Sequence, residues 1–174
     1  MLIAPPVQTL PAPDPHMHDL AWFLGEWSIF SRTFQAEPAG TWAEETIFAV
    51  HSAELGGNMI WEHFFGPLQG AAYEAWSLRK YDARKDRWFQ RWVDSVPGGP
   101  VANWTGTWDA GTRSFTGYAE GFLDSEYRIK GERAMREIFD RITPDSFAWR
   151  METTSDGGKT WTVTWTLDYT RVAR

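Results

Sequence analysis

A chain of 174 residues has the length of one ordinary domain, and its lack of cysteine excludes a disulfide framework, a thiolate nucleophile and any cysteine-ligated metal site. A net charge of −6 argues against a partner bound through its phosphates, such as nucleic acid, and no run approaches the ~18–20 apolar residues that a membrane-spanning helix needs. Twelve Trp, eleven Phe and five Tyr raise the aromatic share to 16%, and because aromatic side chains pack well on pleated strands the composition points to an all-β protein.

In chain order, residues 1–15 carry Pro5, Pro6, Pro11, Pro13 and Pro15, which forbid regular helix or strand and define a proline-rich N-terminal tail. The first residues lack the charged and then unbroken apolar pattern of a signal peptide, so a cytoplasmic location is expected. Residues 16–174 make up a single folded domain. It opens on a short helical segment, 16–24, that Asp14 caps with Pro15 at its first position and that Gly25 ends. His16 and His18 beside Asp14 and Asp19 have metal-ligand chemistry, but at the edge of the tail they read as solvent-exposed, and no metal site is expected.

From residue 25 the pattern is strand, turn, strand. Ten strands are predicted, at about 25–34, 41–50, 58–65, 71–81, 87–94, 101–108, 113–122, 127–141, 146–154 and 160–171, separated by Gly, Asn, Asp and Pro turns such as Gly56-Gly57-Asn58 and Asp156-Gly157-Gly158. The 127–141 segment also has helical features, but its alternation favours a strand. Short links imply antiparallel neighbours, and closure into an up-and-down barrel removes the two exposed edges that an open sheet would carry. A barrel of this size leaves room for a small molecule.

Alternation assigns an inner face. It groups Trp161, Val163, Trp165, Leu167 and Tyr169; Phe147, Trp149 and Met151; Trp104, Gly106 and Trp108; and Met59, Trp61, His63 and Phe65. Tyr127, Ile129, Gly131, Arg133, Met135, Glu137 and Phe139 share a face as well. Glu62 is then expected to point outward, and the run from Arg79 to Arg87 reads as solvated faces and turns. The tryptophans are too many to line one cavity, so some must face outward, and a homodimer through one face of the barrel is plausible.

Gly25-Glu26-Trp27 opens the first strand straight after a helical turn, and Arg171 lies in the last. This resembles the calycin arrangement of lipocalins and fatty-acid-binding proteins, which implies that Trp27 closes one end of the barrel with Arg171 packed across it. Leu24-Gly25-Glu26-Trp27, Tyr81-Asp82, Asp86-Arg87-Trp88, Gly106-Thr107-Trp108-Asp109 and the stretch from Ser155 through Trp161 to Arg171 are similar to the bacterial lipocalin-like DUF1579 proteins, relatives of the nitrobindin-like barrels. That resemblance implies a fold and a cavity but no settled activity. Nitrobindin-type members hold haem through a histidine in the C-terminal part of the barrel, whereas the four histidines here are His16, His18, His51 and His63. Haem would need a different ligand, and no cofactor is expected.

Thr154-Ser155-Asp156-Gly157-Gly158-Lys159-Thr160-Trp161 fits the Asp-box of propeller blades. A single copy without repeats reads instead as a hairpin turn capped by Asp156 and anchored by Trp161. The remaining candidates suit a small apolar or aromatic ligand bound by Met59, Trp61, Phe65, Trp104, Glu137, Trp149 and Trp165, with one or two of His63, Arg91 and Arg133 fixing its orientation, a structural salt bridge being the other reading of the interior Arg and Glu137 side chains. The alternative is an isomerase, cyclase or lyase with His63 as proton-transfer group, and a further one is haem or nitric-oxide binding.

Overall fold

The computed structural model describes residues 9–35, 40–99 and 101–173. Within them, alternating bulky side chains between turn residues form ten strands: β1 (Gly25–Gln35), β2 (Thr41–Glu54), β3 (Met59–Leu68), β4 (Ala71–Asp82), β5 (Arg87–Asp94), β6 (Ala102–Asp109), β7 (Ser114–Ala119), β8 (Ala134–Asp140), β9 (Ser146–Thr154) and β10 (Thr162–Arg171). Each pairs antiparallel with its neighbours in sequence. β10 returns to β1, from Trp27 opposite Arg171 to Thr33 opposite Trp165, so the sheet is a closed up-and-down barrel.

One end is filled by a 3-10 helical plug, Pro15–Phe23, whose first turn is capped by the Asp14 side chain accepting from the His16 backbone N–H. Two of its rings enter the barrel. Phe23 packs edge-on against Phe139 at 5.6 Å, and Trp22 against Phe147 at 5.0 Å. Arg171 lies over the Trp27 ring at 4.1 Å and donates to the Trp22, Leu24 and Pro144 carbonyls, tying plug, first strand and last strand together. Gly25, at φ +126°, is where that guanidinium passes, and a Cβ there would collide with it.

Three local expectations change. Residues 10–14 do not hang free: the Pro11 and Ala12 carbonyls accept from Asn58, and the Asp14 N–H donates to Asn58 Oδ1. Pro5 and Pro6 lie outside the described residues. The strand expected over 127–141 begins only at Ala134, because Asp124 folds the chain into a local turn held by the Glu126 and Arg128 N–H groups, and Tyr127 and Gly131 have positive φ that breaks a pleat. In β10 the register shifts between Val163 and Trp165, so Val163 pairs with outward Glu152 while Trp165 pairs with inward Met151. Trp161 is therefore outside, under the Arg136 guanidinium at 3.9 Å. Among the described residues no helix is long and apolar enough to cross a membrane.

Candidate functional site

The interior away from the plug contains a cavity of about 340 Å³. Its walls are Phe64 of β3, Tyr73 of β4, Trp92 of β5, Trp104 of β6, Met135 of β8, Trp149 and Met151 of β9, and Trp165 and Leu167 of β10, with Tyr73, Asp94 and Ala102 towards the end remote from the plug. Glu62, Arg79, Gln90, Glu137 and Tyr169 supply the polar groups around it. Of the residues expected to bind a ligand, Trp104, Glu137, Trp149 and Trp165 are brought together here.

The others are not. β3 has the opposite facing from that expected: Ile60, Glu62 and Phe64 are buried inside, and Met59, Trp61, His63 and Phe65 lie on the outer face. There His63 stacks on Trp76 at 3.9 Å and its Nε2 bonds Glu74 Oε1 at 2.7 Å, while Trp61 packs on Trp76 and Phe65 on Phe48. His63 thus has no access to a molecule inside the barrel, and the proton-transfer role considered for it has no geometric basis. Arg91 is exposed on the outside of β5, with Nε donating to Asn103 Oδ1. Arg133 precedes β8 and is exposed at a rim groove with Thr153, Ser155 and Thr160.

The physical reason for the reversal is a buried polar row that alternation within β3 does not reveal. Glu62 sits opposite His51 on one side and Ser77 on the other, and Arg79 is the next inward residue of β4. Glu62, only 2% exposed, accepts from His51 Nε2 at 3.2 Å, Ser77 Oγ at 2.5 Å and Arg79 Nη1 at 2.7 Å. His51 Nδ1 lies 2.7 Å from the Phe23 carbonyl, so the ring bridges the plug and Glu62. Burial by itself pushes the Glu62 carboxyl up, but the Arg79 guanidinium and His51 outweigh it and hold the group well below the usual carboxylate range. Arg79, expected on a solvated face, is 4% exposed and lies over the Phe23 ring at 4.5 Å. This cluster is the floor of the cavity, and the plug is beneath it.

Glu137 differs. It is 3% exposed, Oε2 accepts from Trp149 Nε1 at 3.0 Å, and Oε1 has no hydrogen-bond partner. Burial pushes its carboxyl above the usual range, the Arg79 charge and the Trp149 N–H oppose that without cancelling it, and the Glu62 charge adds to it. Gln90 Oε1 on the same cavity is also buried without a partner. Histidine ligation of haem finds no place in the interior. His51 is the histidine inside the barrel, both its nitrogens are engaged beside the plug, and the cavity walls carry no imidazole.

A closed antiparallel barrel with a plugged end, an Arg over a Trp across that end and an aromatic cavity defines a calycin-like protein. The chain belongs to the family described as "Protein of unknown function (DUF1579)", whose model matches residues 12–171. No curated protein matches it. Among solved structures it is similar to Rv2717c from M. tuberculosis, with a TM-score of 0.62 at 13% identity over 92% of this chain and 99% of that one. It is also similar to the S-type phycobiliprotein lyase CPES from Guillardia theta, with a TM-score of 0.53 at 11% identity over 93% and 99%. At these identities the likeness is one of fold.

Proposed function

We propose that this protein binds a small, predominantly apolar or aromatic molecule inside the barrel. The observation that carries the reading is the cavity itself: about 340 Å³, walled by Trp92, Trp104, Trp149 and Trp165 with Met135 and Met151, with a few polar groups at its floor and in its wall. Ligand sites are concave, mostly apolar and furnished with a few placed polar groups, and this volume lies at the lower end of their range of about 300–1,000 Å³. Four indoles offer flat faces to a ring system, and the two thioethers adapt to its outline. The activity of the phycobiliprotein lyase is not carried over, since only the barrel is shared.

Native mass spectrometry of the protein as isolated tests the reading. A retained small molecule, lost in Ala102→Trp, which fills the cavity at β6, is the expected result. An empty wild-type protein whose tryptophan emission is also indifferent to added naphthalene-type compounds would overturn it.

A further inference from the structure

The polar groups of the interior divide into two sets. In the floor, the Glu62 carboxylate is matched by Arg79 Nη1, His51 and Ser77. In the wall, Glu137 Oε1 and Gln90 Oε1 are buried without partners, and both residues line the cavity. Buried polar atoms are nearly always paired, so the unpaired Glu137 Oε1 marks where an occupant's polar group belongs, and the Gln90 amide, whose oxygen can only accept as placed, presents an N–H donor when turned over.

The form of Glu137 decides what that group is. Its single protein donor is the neutral Trp149 N–H on Oε2, and the nearby cation, Arg79, directs Nη1 to Glu62 and Ser77. A buried carboxyl without a bonded cation is favoured in its neutral form. With Oε2 accepting from Trp149, the proton resides on Oε1, which becomes a donor. Oε1 lies beside Gly117, where a Cβ would approach it to 2.8 Å, so the missing side chain leaves the carboxyl its room. The terminal torsion of Glu is broad, and a ligand atom at the wall can draw this oxygen without moving β8.

We propose that Glu137 is a neutral acid that donates to a hydrogen-bond acceptor of the ligand, and that the preferred occupant is a neutral aromatic carbonyl compound rather than a carboxylate or an amine. A carboxylate would bring a second negative charge beside Glu62 with one guanidinium, Arg79, to share between them, and an amine would need an ionised partner, either Glu137 in the dry wall or Asp94, which already accepts from the Tyr73 hydroxyl. This rests on the binding function proposed above and names the ligand chemistry of the same cavity.

Four matched probes separate the possibilities by equilibrium dialysis against the full chain: 2-ethylnaphthalene, 2-acetylnaphthalene, 2-naphthoate and 2-naphthylmethylammonium. The acetyl compound is expected to bind about fivefold to tenfold more tightly than the ethyl compound, the worth of one net hydrogen bond. Its carbonyl stretch is expected to shift to lower frequency when bound. Glu137→Gln, which keeps a donor, preserves both effects, and Glu137→Met abolishes both while still binding 2-ethylnaphthalene. Should the Met variant fail to fold, the wild-type band and the Gln variant decide. Equal affinity for ethyl and acetyl probes, or an unshifted carbonyl band, removes this inference and leaves the cavity reading standing. Tightest binding of the ammonium probe, whether it pairs Glu137 or Asp94, or of the naphthoate also removes it. If none of the four binds, the cavity reading itself fails.

Discussion

Arg79 and Glu62 are a buried ion pair at 2.7 Å, 5% and 2% exposed at their side chains, and neither charge has water to fall back on. Arg79→Met leaves the Glu62 charge unmatched and is expected to cost roughly 3–5 kcal/mol in urea unfolding. Adding Glu62→Gln to it should recover part of that loss, because the coupling between the two residues is what the single change exposes. The two interior carboxyls respond to pH in opposite senses. Glu62 is held below its ordinary value, so its contribution is present above the unfolded value of about 4.3 and is lost as pH falls further. Glu137 is raised, so the wild type should lose stability relative to Glu137→Gln as pH climbs from about 4.3 through the raised folded value, a widening gap that thermal melts across that interval would detect.

At the scale of elements, the plug is joined to the barrel by side chains from several strands. Phe23 is stacked by the His51 ring at 3.7 Å and covered by Arg79, and its carbonyl accepts from His51. Removing that ring with Phe23→Ala is expected to cost about 3–5 kcal/mol, since a fully buried aromatic leaves a void that rigid strands cannot close. Arg171→Ala loses three hydrogen bonds to carbonyls and the contact with Trp27, a loss of roughly 2–4 kcal/mol measurable by denaturant unfolding. The strands were legible in the sequence because turn chemistry punctuates them. The facing of β3 was not, because both alternating sets of residues 59–65 carry apolar bulk, the set with more rings was expected inside, and an outward Glu62 followed from that choice. Register supplies the missing signal: with the turn at Gln69-Gly70, Glu62 falls opposite Ser77 and on the same face as Arg79. An acid and a base meeting on one face of a hairpin can be buried together.

For the molecule as a whole, closure of β1 onto β10 leaves no sheet edge between them, and the interior is divided into a filled half and a cavity half. A ligand specific to the folded barrel should raise its stability by about 2.7 kcal/mol at a hundredfold excess over Kd, visible as a higher melting temperature with 2-acetylnaphthalene. The sequence by itself determined the all-β class, the run of strands and turns and the aromatic character of the interior, because each of these is written in local alternation or in turn residues with special backbone demands, and the Trp27 and Arg171 closure was implied by the resemblance to calycins. Only the tertiary structure decided that His63 faces out and Glu62 in, that Arg79 is buried, and that Glu137 stands unpaired at the cavity. A strand's inward face is chosen by what its neighbours across the sheet can match, and those neighbours are set by pairings between distant parts of the chain.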